Sequence, residues 1–271
     1  MSRENHRYSR QSFLGPDAEA NIRRAVVGVV GLGGGGSHIV QQLAHIGFKN
    51  YVVYDPDIVE ESNLNRLVGA TEHDVELSTP KVVVAKRQIV GLQPDADVIP
   101  VSKRWQDEAG PLRGCDIIFG CLDGFAERRE LETCARHYLV PLIDIGMDVN
   151  RAGDEPPRMA GQVIVSMPGH PCLTCVGFLN EATLAREAAR YGAAGPRPQV
   201  IWPNGVLASS AVGLAVDLLT DWTRSLRGVV YLSYDSNRGT IQPHVRYEFV
   251  KNAICSHFIC TDIGDPVPTL V

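Results

Sequence analysis

The sequence lacks any uninterrupted run of about 18 apolar residues, the length that a helix needs to cross a bilayer. Its most apolar stretches, residues 25–36 and 200–216, are broken by glycines or by proline, asparagine and serine. The first seven residues are polar and no apolar segment follows them, so no signal peptide is expected. An excess of positive charge is also missing, since 26 basic and 31 acidic residues give a net charge of −5. This balance argues against a dedicated binder of nucleic acid or of an anionic membrane.

The seven cysteines are unevenly placed, with none between Cys175 and Cys255. An odd number of cysteines spread over a long chain favours reduced thiols, and we expect a cytoplasmic protein. The composition, 44% hydrophobic and 21% charged, is typical of a globular protein with a substantial core and excludes disorder over most of the chain. The length suits one large domain or two small ones.

The first half of the chain alternates β-branched runs with amphipathic segments. This pattern predicts a doubly wound α/β fold, in which parallel strands are joined by crossover helices. The predicted strands are residues 25–30, 51–54, 98–101, 116–120 and 141–144, and the predicted helices are residues 37–46, 80–92 and 126–137.

The second half predicts an antiparallel extension of the same sheet. A loop rich in proline and glycine, residues 151–159, precedes predicted strands at 161–167, 229–235 and 245–250, and helices at 181–191 and 204–225 lie between them. We expect a single domain over residues 1–260 and a flexible tail over residues 261–271.

A glycine-rich turn follows the first predicted strand, with Gly31, Gly33, Gly34 and Gly36 in the pattern G-x-G-x-x-G. Glycines at this place allow a tight turn, and the free N–H groups at the start of the next helix can face a polyphosphate. Asp55 ends the second strand, where a carboxylate can accept hydrogen bonds from ribose hydroxyls. These features indicate a nucleotide site without choosing the nucleotide, and by themselves they would also suit a nicotinamide or flavin enzyme.

Four further side chains favour a site for a triphosphate. Lys81 falls in the first turn of a predicted helix that Thr79 would cap, and a cation there opposes the helix dipole unless an anion binds beside it. Asn63 and Arg66 follow the Asp55 strand closely enough to reach the same crevice. Asp123 follows the predicted strand 116–120, at the carboxyl edge of the sheet where ligands bind. A carboxylate near a triphosphate usually holds Mg²⁺.

Together these motifs resemble the ThiF/MoeB/HesA adenylyltransferases, the bacterial relatives of the ubiquitin-activating E1 enzymes. The resemblance spans residues 7–260 and rests on seven motifs: Arg7-Tyr-Ser-Arg10-Gln11, the glycine turn, Asp55-x-Asp57, Ser62-Asn63-Leu-Asn65-Arg66, Pro80-Lys81, Cys121-Leu-Asp123 with Arg128, and Cys172-x-x-Cys175. It implies a Rossmann-like E1 adenylation fold, with Asp55 on the ATP ribose, Arg66 and Lys81 on the phosphates, and Asp123 on Mg²⁺. It also implies a homodimer in which Arg10 reaches the γ-phosphate region of the neighbouring subunit.

The resemblance implies a reaction as well. The enzyme would adenylate the C-terminal glycine of a ubiquitin-like protein, and an E2-like protein or a sulfurtransferase could accept the product. Three alternatives remain: a relative that adenylates a short peptide or a tRNA-bound carboxyl group, an NAD-dependent oxidoreductase, and a silent partner in a heterodimer. The acidic net charge weakens the tRNA variant. Gly124 stands where relatives often have asparagine after the aspartate.

Two cysteine pairs are candidates for a structural zinc site of the kind the family carries, namely Cys172 with Cys175 and Cys255 with Cys260. The second pair departs from the family pattern, because four residues separate its cysteines where two are usual. His257 could replace one ligand, or the thiols could be buried or redox-active without a metal. Cys115, Cys121 and Cys134 lie among apolar neighbours and are expected to pack in the core.

Many relatives carry a further cysteine in the loop before the long helix, where it bonds to the activated protein. Residues 191–204 contain none. We therefore predict adenylation without a thioester on the enzyme itself. Ser209 and Ser210 are the alternative nucleophiles, but both fall in an apolar helical pattern that favours packing.

Overall fold

A computed structural model of the chain describes residues 7–150, 155–190, 198–224 and 230–258. Its strands are β1 (Val26–Val30), β2 (Asn50–Tyr54), β3 (Asp97–Val101), β4 (Ile117–Gly120), β5 (Leu142–Asn150), β6 (Arg158–Ser166), β7 (Tyr231–Asp235) and β8 (Thr240–Pro243). Its α-helices are α1 (Ala18–Arg24), α2 (Gly34–Ile46), α3 (Glu72–Glu76), α4 (Lys81–Leu92), α5 (Phe125–His137), α6 (Glu181–Arg190), α7 (Ile201–Thr220) and α8 (Val245–Val250). Short 3-10 helices cover Ser9–Leu14, Glu61–Asn63, Trp105–Glu108 and Gly110–Gly114.

The described strands form one sheet in the order β3-β2-β1-β4-β5-β6-β7-β8. Strands β1 to β5 pair in parallel, and β6, β7 and β8 are added antiparallel. The predicted doubly wound sheet with an antiparallel extension is therefore confirmed. The tail, residues 261–271, lies outside the described residues.

Helices cover both faces of the parallel half, which explains why its strands are continuous apolar runs rather than alternating ones. One face packs α2, α4 and α7 against residues such as Val27, Val29 and Phe119. The other packs α5 and the 3-10 helix of Trp105 against Val30 and Ile118. The chain runs outward from β1 to β3 and then returns to β4, so β1 and β4 meet at a switch point that leaves a crevice beyond their carboxyl ends.

Helix α7 is the one helix within the described residues that is long and apolar enough to cross a membrane by length and composition. Within the fold it packs against α2, β5 and β6. Leu207, Ala208, Ala211 and Ala215 on it are fully buried in the core. This packing in the core explains the apolar composition of α7.

The structure corrects the strand predicted over residues 245–250, which is the helix α8. Tyr247 and Val250, three residues apart, pack against a small core cluster, whereas Val245 and Phe249 remain exposed. Residues three apart lie on the same face of a helix. At the start of α8 the His244 side chain accepts a hydrogen bond from the Arg246 N–H. The last strand is instead β8, which the sequence analysis missed.

The structure also corrects several boundaries. Helix α4 begins at Lys81 after Pro80, with no side-chain cap from Thr79, because residues 58 and 80 form a β-bridge that keeps the chain extended up to the proline. Helix α7 begins at Ile201 and ends at Thr220, where Asp221 turns into the left-handed conformation. Strand β5 runs on to Asn150 because β6 pairs with it over its whole length.

Candidate nucleotide site at the switch point

The glycine turn connects β1 to α2 at the switch point. Gly31 has a φ of +89°, and a side chain there would come within 2.5 Å of the Cys121 carbonyl oxygen. A side chain on Gly36 would collide with the Gly31 carbonyl oxygen. Only glycine therefore satisfies the turn at these two positions. Around Gly33 the space is open, so a ligand can approach the backbone at the start of α2 closely.

Asp55 is fixed beside this turn by two backbone donors. The Leu32 N–H donates to Asp55 Oδ2 at 2.7 Å, and the Asp57 N–H donates to Asp55 Oδ1 at 2.9 Å. Burial raises the pKa of Asp55, while the Lys81 ammonium and these hydrogen bonds oppose that shift. Each carboxylate oxygen still has a lone pair for a further donor, and Asp55 lines the cleft.

Lys81 is the first residue of α4 and points toward Asp55 and Asp57. Its Nζ lies 2.7 Å from Asp57 Oδ2 and 3.7 Å from Asp55 Oδ1. The two carboxylates offset the unfavourable position of this cation at a helix N-terminus. The Lys81 side chain is only 11% exposed, so its charge is held at the cleft wall.

The loop after β2 carries Asn63 and Arg66. Asn63 is buried and its Oδ1 accepts from the Glu60 N–H at 3.1 Å, so its side chain closes the loop. Arg66 donates to the Ser62 carbonyl oxygen at 2.6 Å and to Asn65 Oδ1 at 3.0 Å. Arg66 lines the main cleft, and both residues line an adjoining pocket.

Asp123 follows β4 and lines the same two pockets as Arg66 and Lys81. Its Oδ1 accepts a hydrogen bond from Gln199 Nε2 at 3.0 Å. The Gln199 carbonyl oxygen accepts in turn from Asn65 Nδ2 at 3.1 Å. Gln199 therefore links Asp123 to the loop that carries Arg66.

The cleft has a volume of about 310 Å³. It brings together most of the residues that the sequence analysis singled out: Gly31, Gly33, Gly34, Asp55, Arg66, Lys81 and Asp123. Gly36 lies in the first turn of α2 and shapes the glycine turn without lining the cleft. No sequence motif marked Gln199 and Asn204 in the cleft wall, although both belong to residues 191–204, the segment without a cysteine before the long helix.

Arg128 forms part of the cleft wall next to Asp123. It pairs with Asp144 in a buried ion pair, and its guanidinium lies 5.7 Å from the centre of the Phe178 ring. Gly146 also lines the cleft, and a side chain there would collide with the Arg128 guanidinium. Burial raises the pKa of Asp144 to about 6, against the effect of Arg128.

Arg10 is exposed on the first 3-10 helix and is not among the residues that line the cleft of its own chain. Cys115 and Cys134 are buried in the core, as predicted. Cys121 lines the cleft, but burial raises the pKa of its thiol far above neutrality. Ser209 and Ser210 donate to carbonyl oxygens four residues earlier in α7, those of Gly205 and Val206.

A second cluster of polar side chains lies outside the cleft. Cys172 and Cys175 follow β6, and Cys255 and His257 follow α8, with one donor atom of each lying within 4.8 Å of the others. Thiolate and imidazole donors are the ligands that Zn²⁺ prefers. The donor set therefore fits a structural zinc ion. Cys260 lies outside the described residues.

Comparison with known proteins agrees with this arrangement. The model of the ThiF family matches residues 7–255. The SAMP-activating enzyme E1 of Haloferax volcanii is 33% identical over 218 residues, which cover 78% of this chain and 76% of that protein. The molybdopterin-synthase adenylyltransferase of Salmonella typhimurium is 31% identical over 237 residues, covering 85% and 88%.

Among solved structures, Escherichia coli MccB with AMPCPP and MccA superimposes with a TM-score of 0.75. It is 20% identical, and the match covers 94% of this chain and 74% of MccB. At this identity the likeness supports the fold. The sequence matches, the glycine turn and the cleft residues lead to one conclusion: the chain belongs to the ThiF family.

Proposed function

We propose that this protein is an ATP-dependent adenylyltransferase that activates the C-terminal carboxylate of a ubiquitin-like protein as an acyl-adenylate. The observation that carries the proposal is the convergence of Arg66, Lys81 and Asp123 on one cleft at the glycine turn of a ThiF-family chain. Relatives named for sulfur carrier proteins and for a ubiquitin-like modifier support this substrate class.

The reaction joins two anions, so charge is the main obstacle. A substrate carboxylate attacks the α-phosphorus of ATP, and the bond from that phosphorus to the bridging oxygen of pyrophosphate breaks. Lys81 and Arg66 supply positive charge where the phosphates would lie, and the N–H groups at the start of α2 add to it. Asp55 is placed to orient the ribose.

Asp123 is a carboxylate in a cleft suited to a triphosphate and fits a magnesium ligand. Mg²⁺, when bound, would neutralise charge on the phosphates. We include it in the proposal because oxygen donors such as this carboxylate are the ligands that Mg²⁺ prefers.

We also propose that the second cluster is a structural zinc site. It joins the segment after β6 to the segment after α8, and none of its described ligands lines the cleft. The cytoplasmic location stays a prediction from the unpaired thiols.

ATP–pyrophosphate exchange tests the function. We expect exchange that depends on a candidate ubiquitin-fold protein ending in glycine and is lost when that glycine is blocked as an amide. Exchange with short unstructured peptides alone would favour the peptide-adenylating alternative. Absence of exchange with every acceptor, together with tight NAD binding, would overturn the proposal.

We expect no covalent adduct between the enzyme and its substrate protein. Cys121 is the one described cysteine in the cleft, and its thiol stays protonated at neutral pH. The measurement is mass spectrometry of the denatured reaction mixture, with and without thiol reductant. Cys121→Ala is the matched variant and should retain exchange. A base-labile adduct that resists reductant would point to Ser209 or Ser210 and contradict this prediction.

We also propose a homodimer in which Arg10 completes the partner's site, since Arg10 is exposed and lies off the cleft of its own chain. Arg10→Ala and Asp123→Ala should each be inactive alone. After random subunit exchange, half of the dimers carry one intact site of two, so activity should recover to about a quarter of the wild-type value. No recovery, in mixtures shown to contain heterodimers, would contradict the proposal.

Gln199 should compete with the metal for Asp123, because its amide occupies one carboxylate oxygen. We expect Gln199→Ala to lower the Mg²⁺ concentration for half-maximal exchange by about threefold to tenfold, the range of one net hydrogen bond. The measurement is exchange rate against free Mg²⁺ at saturating ATP. An unchanged or higher requirement would contradict the competition. Gln242→Ala, on the exposed strand β8 and away from the cleft, serves as the control.

A further inference from the structure

The fourth position of the second cluster is held by a histidine. His257 Nδ1 lies 3.5 Å from Cys172 Sγ, 3.3 Å from Cys175 Sγ and 4.0 Å from Cys255 Sγ. The sulfurs of Cys172 and Cys175 are 3.6 Å apart.

These separations match the edges of one coordination tetrahedron. With Zn–S bonds of about 2.3 Å and Zn–N bonds of about 2.0–2.1 Å, neighbouring sulfurs lie about 3.8 Å apart and a sulfur and a nitrogen about 3.6 Å apart. These four distances scatter about the tetrahedral values, and all four donor atoms lie within 4.8 Å of one another. Hydrogen bonds among these four side chains, without a metal, would not require all three sulfurs to surround one ring nitrogen.

We propose that His257 is the fourth zinc ligand, so that the site is Cys₃His and does not use Cys260. The inference rests on the structural zinc proposed above and is independent of the adenylation activity. A Cys₃His site also explains the spacing of the second cysteine pair. If Cys255 and His257 bind the metal, zinc binding does not require a fixed number of residues between Cys255 and Cys260.

Two side chains of α5 contact the two segments that carry the cluster. Glu132 accepts from the Leu173 N–H at 2.8 Å and from the Ser166 hydroxyl. Arg136 donates to the carbonyl oxygens of His170 and Pro171, both at 3.1 Å. Its guanidinium also lies 5.2 Å from the centre of the Phe258 ring, next to His257. Outer contacts of this kind fix the orientation of metal ligands.

Charge favours the histidine as well. Four thiolates around Zn²⁺ carry a net charge of −2, whereas three thiolates and a neutral imidazole carry −1. Glu132 is fully buried and hydrogen-bonded to the backbone of the residue that follows Cys172. A site with less negative charge costs less to place beside a buried carboxylate.

Zinc X-ray absorption on the whole 271-residue chain tests the proposal directly. We expect one zinc per chain with three sulfurs and one nitrogen, and the same spectrum for Cys260→Ser. The Co²⁺-loaded protein should show the absorption of three thiolates, and His257→Cys should shift it toward four. A four-sulfur spectrum for the wild type, or loss of a sulfur in Cys260→Ser, would overturn the assignment.

The variants also separate a ligand from a residue needed only for folding. His257→Ala should lower zinc affinity by more than the about tenfold to a hundredfold that loss of an outer contact costs, while His73→Ala, an exposed residue of α3, should leave it unchanged. If His257→Ala does not fold, the wild-type and Cys260→Ser spectra still decide the ligand set. A wild-type protein that binds no zinc overturns both this assignment and the structural zinc, yet leaves ATP–pyrophosphate exchange to decide the activity by itself.

Discussion

Asp123→Ala should lower the rate of ATP–pyrophosphate exchange by at least about a hundredfold, the loss typical of removing one group that stabilises charge in a transition state. Asp123 follows β4 and lines the cleft together with Arg66 and Lys81. Without its carboxylate the proposed Mg²⁺ has lost its protein ligand, and the phosphates keep charge that the cations alone do not offset.

The measurement is the exchange rate at saturating ATP and substrate protein over a range of Mg²⁺. Asp107→Ala is the matched control, because Asp107 is an exposed aspartate on the 3-10 helix Trp105–Glu108 and does not line the cleft. Both variants should unfold at the wild-type temperature. Full activity of Asp123→Ala would remove the magnesium assignment and leave family membership intact.

Lys81→Ala should reduce kcat/KM for ATP by about a hundredfold to a thousandfold. The wild-type ammonium lies between the carboxylates of Asp55 and Asp57. Its removal takes one positive charge from the cleft and leaves two uncompensated negative charges facing the phosphates. Because the departing pyrophosphate gains charge in the transition state, kcat should fall as well as the affinity for ATP.

Lys86→Ala provides the comparison, since Lys86 is an exposed residue of the same helix α4 and does not line the cleft. It should keep the wild-type kcat and KM. Lys81→Arg should recover part of the activity at most, because a planar guanidinium does not occupy the space of a compact ammonium. A Lys81→Ala enzyme with only a raised KM would show that the lysine binds ATP without acting on the transition state.

The parallel half of the fold was predictable from sequence because burial on both faces leaves a strong pattern. Strands β1, β2 and β4 are almost wholly buried, and a glycine turn and helical periodicity mark the segments between them. The antiparallel end was predicted less well. Strand β8 is exposed along its whole length, so no apolar run marked it, and the β-branched residues of α8 suggested a strand instead.

The candidate site was predictable where a motif has a local physical cause. Gly31 and Gly36 are required by the turn itself, and Lys81 and Asp123 follow from their places at the ends of helix and strand. Gln199 left no such signal, because its contact with Asp123 joins segments 76 residues apart. Arg128 was noted only as part of a resemblance, and its buried pairing with Asp144 emerged from the packing of α5 on β5.

The doubly wound sheet, the glycine turn and the set of charged residues available to a nucleotide could be predicted from the sequence alone, since each depends on neighbours along the chain. Which charges face one another, and which donors surround one point, depends on packing between segments that are distant in the chain. The second cluster illustrates the difference. Spacing along the sequence offered both Cys260 and His257, but the direction of a side chain in space depends on the packing of β6, α5 and α8, and that placed the His257 nitrogen among three sulfurs.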